Sequence, residues 1–419
     1  MTTTVTPWEA KGKFDNDAYT RLINEFGVTP IDEQLLLRFE KLIGTKLHHL
    51  LRRNLFFAHR DLDKLLDAYE RKEKIYIYTG RGPSSNSLHL GHWIPLEFTC
   101  WLQQVLNCTV VIQIADDEKF WLKEMSYEEI EKMSVQNIKE ILAIGFDVKK
   151  TFIFSNRESC RKFNYQKIAN ELFKVVKINE IKPIFGIDDS KNLGTLIWPI
   201  YQTVPVFPQA FVNKSKLANS ILDNNSKLDN NSILADNSKL DNNSILVDNN
   251  KPTCLVAYAI DQDPYFRLAR DLTEKLGCKK PCSIISKFLP SGDGNGKMSS
   301  NIKTEGNKTI YLNDSKKTIE NKIKKFVFSG GQDTLEKHRE LGGNPDIDIS
   351  IQWLAYLLGD DHELQRIIDS YRKGELLTGE LKKITINTVS NLIEKHQSNM
   401  NNINEEIVNY VMDDSHFNL

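Results

Sequence analysis

Two short stretches carry side chains that could do chemistry. Residues 87–93 read SLHLGHW, which sets His89 and His92 one helical turn apart with Gly91 between them. Residues 291–301 read SGDGNGKMSSN, a glycine-rich loop carrying Lys297, Met298, Ser299 and Ser300. Two imidazoles can donate to phosphate oxygens without burying two more full charges, and a lysine on a supple loop is a movable point charge. The segment leading into the first stretch, YTGRGPSSNSLHLGH (78–92), leaves a β-rich run and enters a helix, the place where parallel sheets bind ligands. Free N–H groups at that helix start favour an anion. Gly82 and Gly91 let a ligand approach the backbone, and Arg81 can fork onto a phosphate. Taken singly, a histidine pair is more often packed or solvated and a glycine-rich loop is more often a turn. Together they predict a nucleotide site.

The elements that must hold these residues follow from periodicity. IYIYTG (75–80) is a β-rich run, GHWIPLEFTCWLQQVLN (91–107) is apolar on a helical period, and TVVIQIADDE (109–118) is a continuous β-branched strand of the kind buried on both faces. A helix opens on the capping box Ser126-x-x-Glu129, then come strand TFIFS (151–155), strand CLVAYAID (254–261) and helix YFRLARDLTEKLG (265–277). This alternation predicts an α/β fold with a Rossmann-like, doubly wound parallel sheet. After about residue 305 strand signals fade, and ISIQWLAYLLG (349–359), ELQRIIDSY (363–371) and INEEIVNYVMDD (403–414) read as helices, so an all-helical domain follows. The expected division is an extension over 1–72 packing on the catalytic domain, a catalytic domain over 73–305 and a helical domain over 306–419. Within the extension RFEKLIGTKLHHLLRRNLFF (38–57) has helical spacing, with His48 and His49 on the helix surface.

Residues 213–250 stand apart: three near copies of SKLDNNSILADN, rich in Asn, Ser and Asp with isolated leucines. Their short period builds no solenoid, and so little apolar mass cannot offset ordering entropy, so the segment is expected to be a disordered insert.

Bulk composition narrows the partners. With Lys+Arg 55 against Asp+Glu 56 the formal charge is -1, so any polyanion must be held by a local basic surface. The six cysteines (Cys100, Cys108, Cys160, Cys254, Cys278 and Cys282) include no C-x-x-C pair and no histidine at zinc spacing, which predicts reduced thiols and no structural metal site. The start, MTTTVTPWEAKGKF, lacks a signal-like apolar core, and no apolar run is long enough to span a bilayer. The expected location is the cytosol, with no membrane partner.

HLGH and KMSSN resemble, in the same order along the chain, the HIGH and KMSKS signatures of the class I aminoacyl-tRNA synthetases. YTGRGPSS, QIADDEKFW, AIDQDPYFR, FSGGQDT, GGNPD and TGELKK are similar to segments of the eukaryotic-type tryptophanyl-tRNA synthetases, and only the insert and the first dozen residues fall outside that likeness. Two departures are that Asn301 stands where the general signature has serine, and that the insert, after Phe211 and before Lys251, replaces a short connection. A long loop costs only logarithmically more to close, so the insert need not disturb the sheet.

The resemblance implies that L-tryptophan and ATP give tryptophanyl-adenylate and pyrophosphate, and that the tryptophanyl group then passes to the 3′ end of tRNA(Trp). It implies catalytic roles for His89, His92 and Lys297. Thr79, Gly80, Arg81, Gly91, Lys119, Met298 and Ser299 would complete the ATP site, with Mg²⁺ on the phosphates. Tyr78, Gln113, Glu118, Gln202 and Gln262 match the family's tryptophan pocket. Indole offers one N–H donor, which the Tyr78 oxygen and the Gln113 amide oxygen can accept. Gln332 and Asp333 align with the anticodon-reading segment, where Asp333 could accept from a cytosine amino group. The basic run KKTIENKIKKF (316–326) is either a solvated helix face or a tRNA-backbone contact. A homodimer, and an N-terminal extension folded over the active site with Pro7 and Trp8 as its anchor, come from the resemblance alone.

Three other readings stay open at this point. A tyrosyl-tRNA synthetase shares fold and signatures and is expected to show an aspartate in its pocket, where this chain offers Gln113 but has Asp116 and Asp117 nearby. A small nucleotidyltransferase carries an H-x-G-H turn but lacks the lysine loop and helical tail. A catalytically silent RNA-binding relative would be expected to lose His89, His92 or Lys297.

Overall fold

β-Branched and aromatic residues alternate along five runs and pair side by side in parallel. In a computed structural model that describes residues 4–7, 10–162, 164–211, 251–299, 308–415, 417 and 419, these runs are the centre of a seven-stranded sheet. The strands of the chain are β1 (Thr4–Val5), β2 (Ala10–Lys11), β3 (Thr29–Pro30), β4 (Phe56–Arg60), β5 (Ile75–Arg81), β6 (Thr109–Ile114), β7 (Thr151–Ser155), β8 (Thr253–Ala259) and β9 (Cys282–Ser286). The sheet runs β3-β4-β9-β8-β5-β6-β7, with β4 antiparallel to β9 and β3 antiparallel to β4. The parallel part, β7-β6-β5-β8-β9, reverses its order between β5 and β8, which is the switch point where doubly wound sheets open a crevice.

Strand alternation sends side chains to two separate cores. Ile75, Ile77, Val110, Ile112 and Ile153 enter one, while Tyr76, Tyr78, Val111, Phe152 and Phe154 enter the other. Helices Leu90–Leu106 and Tyr127–Leu142 cover the first face; Tyr165–Val175, Leu193–Thr203 and Asp263–Lys275 cover the second. The first core runs on without a break into the C-terminal helices through Trp353, Tyr356, Ile386, Val389, Ile393 and Val411.

Several expectations are corrected by the chain itself. The strand expected over 109–118 ends at Ile114, and Asp116–Leu122 is helical, because Asp116 and Asp117 cap backbone N–H groups instead of lining a strand. The end of the 38–57 helical pattern is β4, so the N-terminal region supplies two sheet strands as well as packing on the sheet. His48 and His49 are engaged inside the protein: their rings lie tilted against each other at 4.4 Å between centroids, His48 Nε2 meets Glu97 at 3.1 Å and His49 Nε2 meets the Tyr356 carbonyl at 2.8 Å. With Arg52 and Arg53, which both pair with Asp361, His49 joins the N-terminal region to the helical one, while His48 ties it to helix Leu90–Leu106. The insert, Trp8, Ser300 and Asn301 lie outside the described residues.

Candidate active site

Tyr78 lies midway along β5 and Arg81 ends it, and the seven residues between Arg81 and His89 carry the chain over the sheet edge to His89, which precedes helix Leu90–Leu106. That crossing is held from the next helix. Glu140, buried, accepts from Ser87 Oγ and from the Leu88 N–H, each at 2.6 Å, and Asn137 Nδ2 donates to the Ser85 carbonyl at 3.0 Å. Asn137 and Glu140 lie three residues apart on one face of Tyr127–Leu142, among Ile130, Ile138 and Ile141. Sequence reasoning missed both; the available signal was two polar residues interrupting an apolar helical face.

His89 and His92 stack with ring centroids 3.5 Å apart. Burial, followed by the nearby Arg81 guanidinium, pushes both imidazoles well below the usual histidine range, so both are neutral. His89 Nδ1 is buried and has no hydrogen-bond partner. A Cβ on Gly91 would stand 3.0 Å from His89 Cε1, 3.1 Å from Nδ1 and 3.5 Å from the Met298 Cβ, so the bare backbone of Gly91 lies between the imidazole and the lysine loop.

Arg81 is placed differently from the expectation of a free phosphate fork. Its Nε donates to Asn137 Oδ1 at 3.0 Å, one terminal nitrogen lies 3.1 Å from His92 Nε2 and the other donates to Ser85 Oγ at 3.3 Å. Burial lowers its pKa to about 10, which still leaves it charged. It braces His92 from behind.

Lys297 reaches the same place from β9. Its ammonium pairs with Asp261, whose side chain is only 3 % exposed and which follows β8 directly. The Gly296 N–H bonds the Gly12 carbonyl at 2.9 Å, so the N-terminal segment just after β2 touches the lysine loop. The helical region braces the loop's base: Trp353 Nε1 donates to the Pro290 carbonyl and the Tyr356 hydroxyl to the Phe288 carbonyl, both at 2.9 Å. Asp261 was not foreseen from sequence. Thr79 is buried on β5, Gly80 is exposed at its end beside Gln113, and Lys119 pairs with Glu118 at 2.7 Å. That pair lies over Gly82, where a Cβ would come within 2.2 Å of Lys119 Cε.

On the second face of the sheet, the Tyr78 hydroxyl donates to Gln113 Oε1 at 2.5 Å and lies 3.0 Å from the Gln202 carbonyl. Gln113 is fully buried, and its Nε2 donates to Asn156 Oδ1 at 2.8 Å and to the Tyr165 hydroxyl at 3.0 Å. Gln202 is half-buried, and Gln262 donates to Asp261 Oδ2 at 3.2 Å. Asp116 accepts from Ser155 Oγ at 2.5 Å and Asp117 accepts from Asn156 Nδ2 at 2.9 Å. Both acids are therefore engaged at the end of β7, and burial raises Asp117 to about 7. In the helical region Gln332 and Asp333 are exposed, though Gln332 Nε2 is tied to the Gly342 carbonyl at 3.0 Å. Among the described residues, no three His, Cys, Asp or Glu side chains come together as a metal site.

A neutral imidazole pair after β5, a lysine paired with Asp261 after β8, and the buried Tyr78–Gln113 pair on β5 and β6 thus stand around the β5/β8 switch point. The model for class I tRNA synthetases of the W and Y type matches residues 70–201 and 245–394. The chain is 41% identical to the cytoplasmic tryptophan-tRNA ligase of Arabidopsis thaliana, over 97% of this chain and 93% of that one. The chain belongs to the tryptophanyl-tRNA synthetases. The human cytoplasmic tryptophan-tRNA ligase is 40% identical over 94% of this chain and 77% of its own length. The Plasmodium falciparum tryptophanyl-tRNA synthetase structure aligns with a TM-score of 0.81 at 40% identity, covering 95% of this chain and 98% of that one. The Encephalitozoon cuniculi enzyme, solved bound to tryptophan, aligns at 0.80 with 33% identity, over 95% and 98%. The family's fold is the one the alternation of strands and helices predicts, and a tyrosine-specific reading is not favoured by these relatives.

Proposed function

We propose that this synthetase joins L-tryptophan to ATP and passes the tryptophanyl group to the 3′ end of tRNA(Trp). One observation supports the reading: the Lys297 ammonium, paired with Asp261 after β8, lies near enough to the stacked His89–His92 pair for its charge to act on both, while the Tyr78–Gln113 pair is buried on the adjacent β5 and β6. In the first step a tryptophan carboxylate oxygen attacks the α-phosphorus of ATP, and the bond to pyrophosphate breaks as the new P–O bond forms. No protein nucleophile takes part, so the protein's contribution is alignment and charge.

The nucleotide fits the residues present. His89 has a buried nitrogen without a partner, and Gly91 offers bare backbone in the first turn of the helix. Because it is neutral and its Nδ1 has no partner, the His89 imidazole can give one N–H to a phosphate or ribose oxygen; His92, whose nitrogens face Arg81 and the His89 backbone N–H, must exchange one of these to do the same. Lys297, with Met298 and Ser299, follows the leaving pyrophosphate after exchanging Asp261 for phosphate oxygens. Thr79, Gly80 and Lys119 border the same crevice, while Arg81 holds His92 in place. When bound with the nucleotide, Mg²⁺ would supply charge neutralisation. Tyr78 and Gln113 take the indole N–H; Glu118, Gln202 and Gln262 take the ammonium and carboxylate ends.

The exposed carboxylate of Asp333 and the backbone at Gln332 read the anticodon, and the Lys316–Phe326 helix supplies phosphate contacts. A cytoplasmic homodimer, with domains divided at about residues 72 and 305, completes the reading. Cytoplasmic placement draws on the relatives' names, and among the described residues no helix is long and apolar enough to cross a membrane. The test is pyrophosphate exchange into ATP with tryptophan or tyrosine as the only amino acid. Exchange with tryptophan is expected; exchange with tyrosine alone, or none, overturns the proposal.

A further inference from the structure

The indole-reading pair does not stand alone in its pocket. Behind it runs a line of buried polar groups that the reaction does not touch: Asn156, Asp117 and Tyr165. Asn156 is fully buried at the start of the helix that follows β7. Its Oδ1 accepts from Gln113 Nε2 at 2.8 Å and from the Tyr165 hydroxyl at 3.1 Å, and its Nδ2 donates to Asp117 Oδ1 at 2.9 Å. The same Asp117 Oδ1 accepts the Glu118 backbone N–H at 2.8 Å.

A carboxamide can be turned end for end at almost no internal cost, so its partners alone decide which end faces where. Here the decision starts from a group that cannot be reversed. A backbone N–H only donates, so Asp117 Oδ1 must accept, whether or not the other carboxyl oxygen carries a proton. Asn156 must then turn its NH₂ toward Asp117 and its oxygen toward Gln113. Gln113 must turn its NH₂ toward Asn156, a direction reinforced by the Tyr201 carbonyl 3.3 Å away. Its oxygen is left facing Tyr78. The Tyr78 proton has two acceptors, Gln113 Oε1 and the Gln202 carbonyl, so what remains for a ligand is oxygen lone pairs and no spare N–H.

We propose that Asn156, anchored by Asp117, is a positioning residue that sets the polarity of the amino-acid pocket. It orients Gln113 so that the pocket accepts a hydrogen bond and reads the indole N–H. Without Asn156 the Gln113 amide can invert, accept from the Tyr165 hydroxyl and present its NH₂ to the ligand. The pocket would then be indifferent or hostile to indole. This inference rests on the assignment of Tyr78 and Gln113 to the indole, as proposed above.

The experiment compares tryptophan with β-(3-benzothienyl)alanine, which replaces the indole N–H by sulfur at nearly constant shape, in pyrophosphate exchange with full-length protein. One buried unpaired N–H corresponds to a preference for tryptophan in kcat/KM of about tenfold to a hundredfold. Asn156→Ala is expected to bring that ratio to within about threefold of unity, mostly through KM for tryptophan, while KM for ATP stays as in the parent. Asp117→Ala is expected to act in the same way. Asp117→Asn, which keeps an oxygen at the anchoring position, is expected to restore the preference. Tyr165→Phe, the mildest change, removes the hydroxyl that a flipped Gln113 would use and should leave the preference at or above the parent value; it serves if the alanine variants do not fold. Equal losses for both amino acids in the alanine variants, an unchanged ratio, or a collapsed ratio in Tyr165→Phe overturns the proposal. Failure of the parent protein to exchange with tryptophan would instead remove the reading on which it stands.

Discussion

Gly91→Ala separates binding of the nucleotide from stability of the fold more cleanly than any change at the imidazoles. Gly91 is the second residue of helix Leu90–Leu106, where alanine ordinarily gains about 1 kcal/mol over glycine. Against that gain, the new Cβ would stand 3.0 and 3.1 Å from two atoms of the His89 ring, a few tenths of an ångström inside comfortable contact. These terms are of similar size and opposite sign, so the melting temperature should hardly move. The nucleotide has no such compensation. If it lies on the bare backbone at Gly91, a methyl group there holds it off by about 1–2 Å, and each lost atom pair forfeits about 0.1–0.2 kcal/mol. Ten to twenty such pairs amount to about 1–4 kcal/mol, or roughly a fivefold to several-hundredfold fall in kcat/KM for ATP. The assay is pyrophosphate exchange with ATP and tryptophan varied in turn, beside thermal melting. The loss should appear in KM for ATP, with KM for tryptophan within about twofold of the parent. A variant with parental KM for ATP would refute the placement of the nucleotide over Gly91.

Asp261→Asn removes the carboxylate that holds Lys297 at rest, and because that lysine is partly solvated the pair is worth about 1 kcal/mol. KM for ATP should fall severalfold in exchange kinetics, whereas a rise would show that Asp261 serves the substrate directly. His396 is 3 % exposed with neither ring nitrogen hydrogen-bonded, and burial lowers it to about 4 from an ordinary 6.5. A depressed histidine binds its proton more tightly in the unfolded chain, so its effect on stability is absent above about 6.5 and grows as pH falls toward about 4. Denaturant melts should show a loss of about 3 kcal/mol across that window. His396→Leu should flatten much of the slope; an unchanged slope would contradict the assignment. Asp333→Ala should lower tRNA charging by about tenfold or more while leaving exchange intact. Equal loss in both assays would mean that the residue acts on the fold or the active site.

What could be read in advance was local. HLGH and the Lys297 loop announce themselves because glycine, histidine and lysine are unusual in such density, and β5, β6, β7 and β8 follow from runs of β-branched and aromatic residues. The order of the sheet could not be read, since pairing depends on contacts among distant strands. β4 was hidden at the end of a helical pattern, and β9 reads CSIIS, where two serines and a cysteine leave only a pair of β-branched residues as a signal. The supporting groups were the least visible. Asn137, Glu140 and Asn156 are single polar residues, each as plausible on a surface as in a core, and only the fold brings them against Ser85, Ser87 and Gln113. Arg81 illustrates the converse: its type suggested a phosphate fork, but each of its three nitrogens already faces a protein group, Asn137, His92 or Ser85.

The central claim is that His89, His92 and Lys297 converge on one triphosphate. Its most direct test is a crystal structure of the protein with a non-hydrolysable ATP analogue and tryptophan bound together. The account predicts phosphates bracketed by the two imidazoles and the Lys297 ammonium, with that ammonium moved off Asp261. Phosphates bound elsewhere, or a Lys297 still paired with Asp261 while the analogue occupies the crevice, would contradict it.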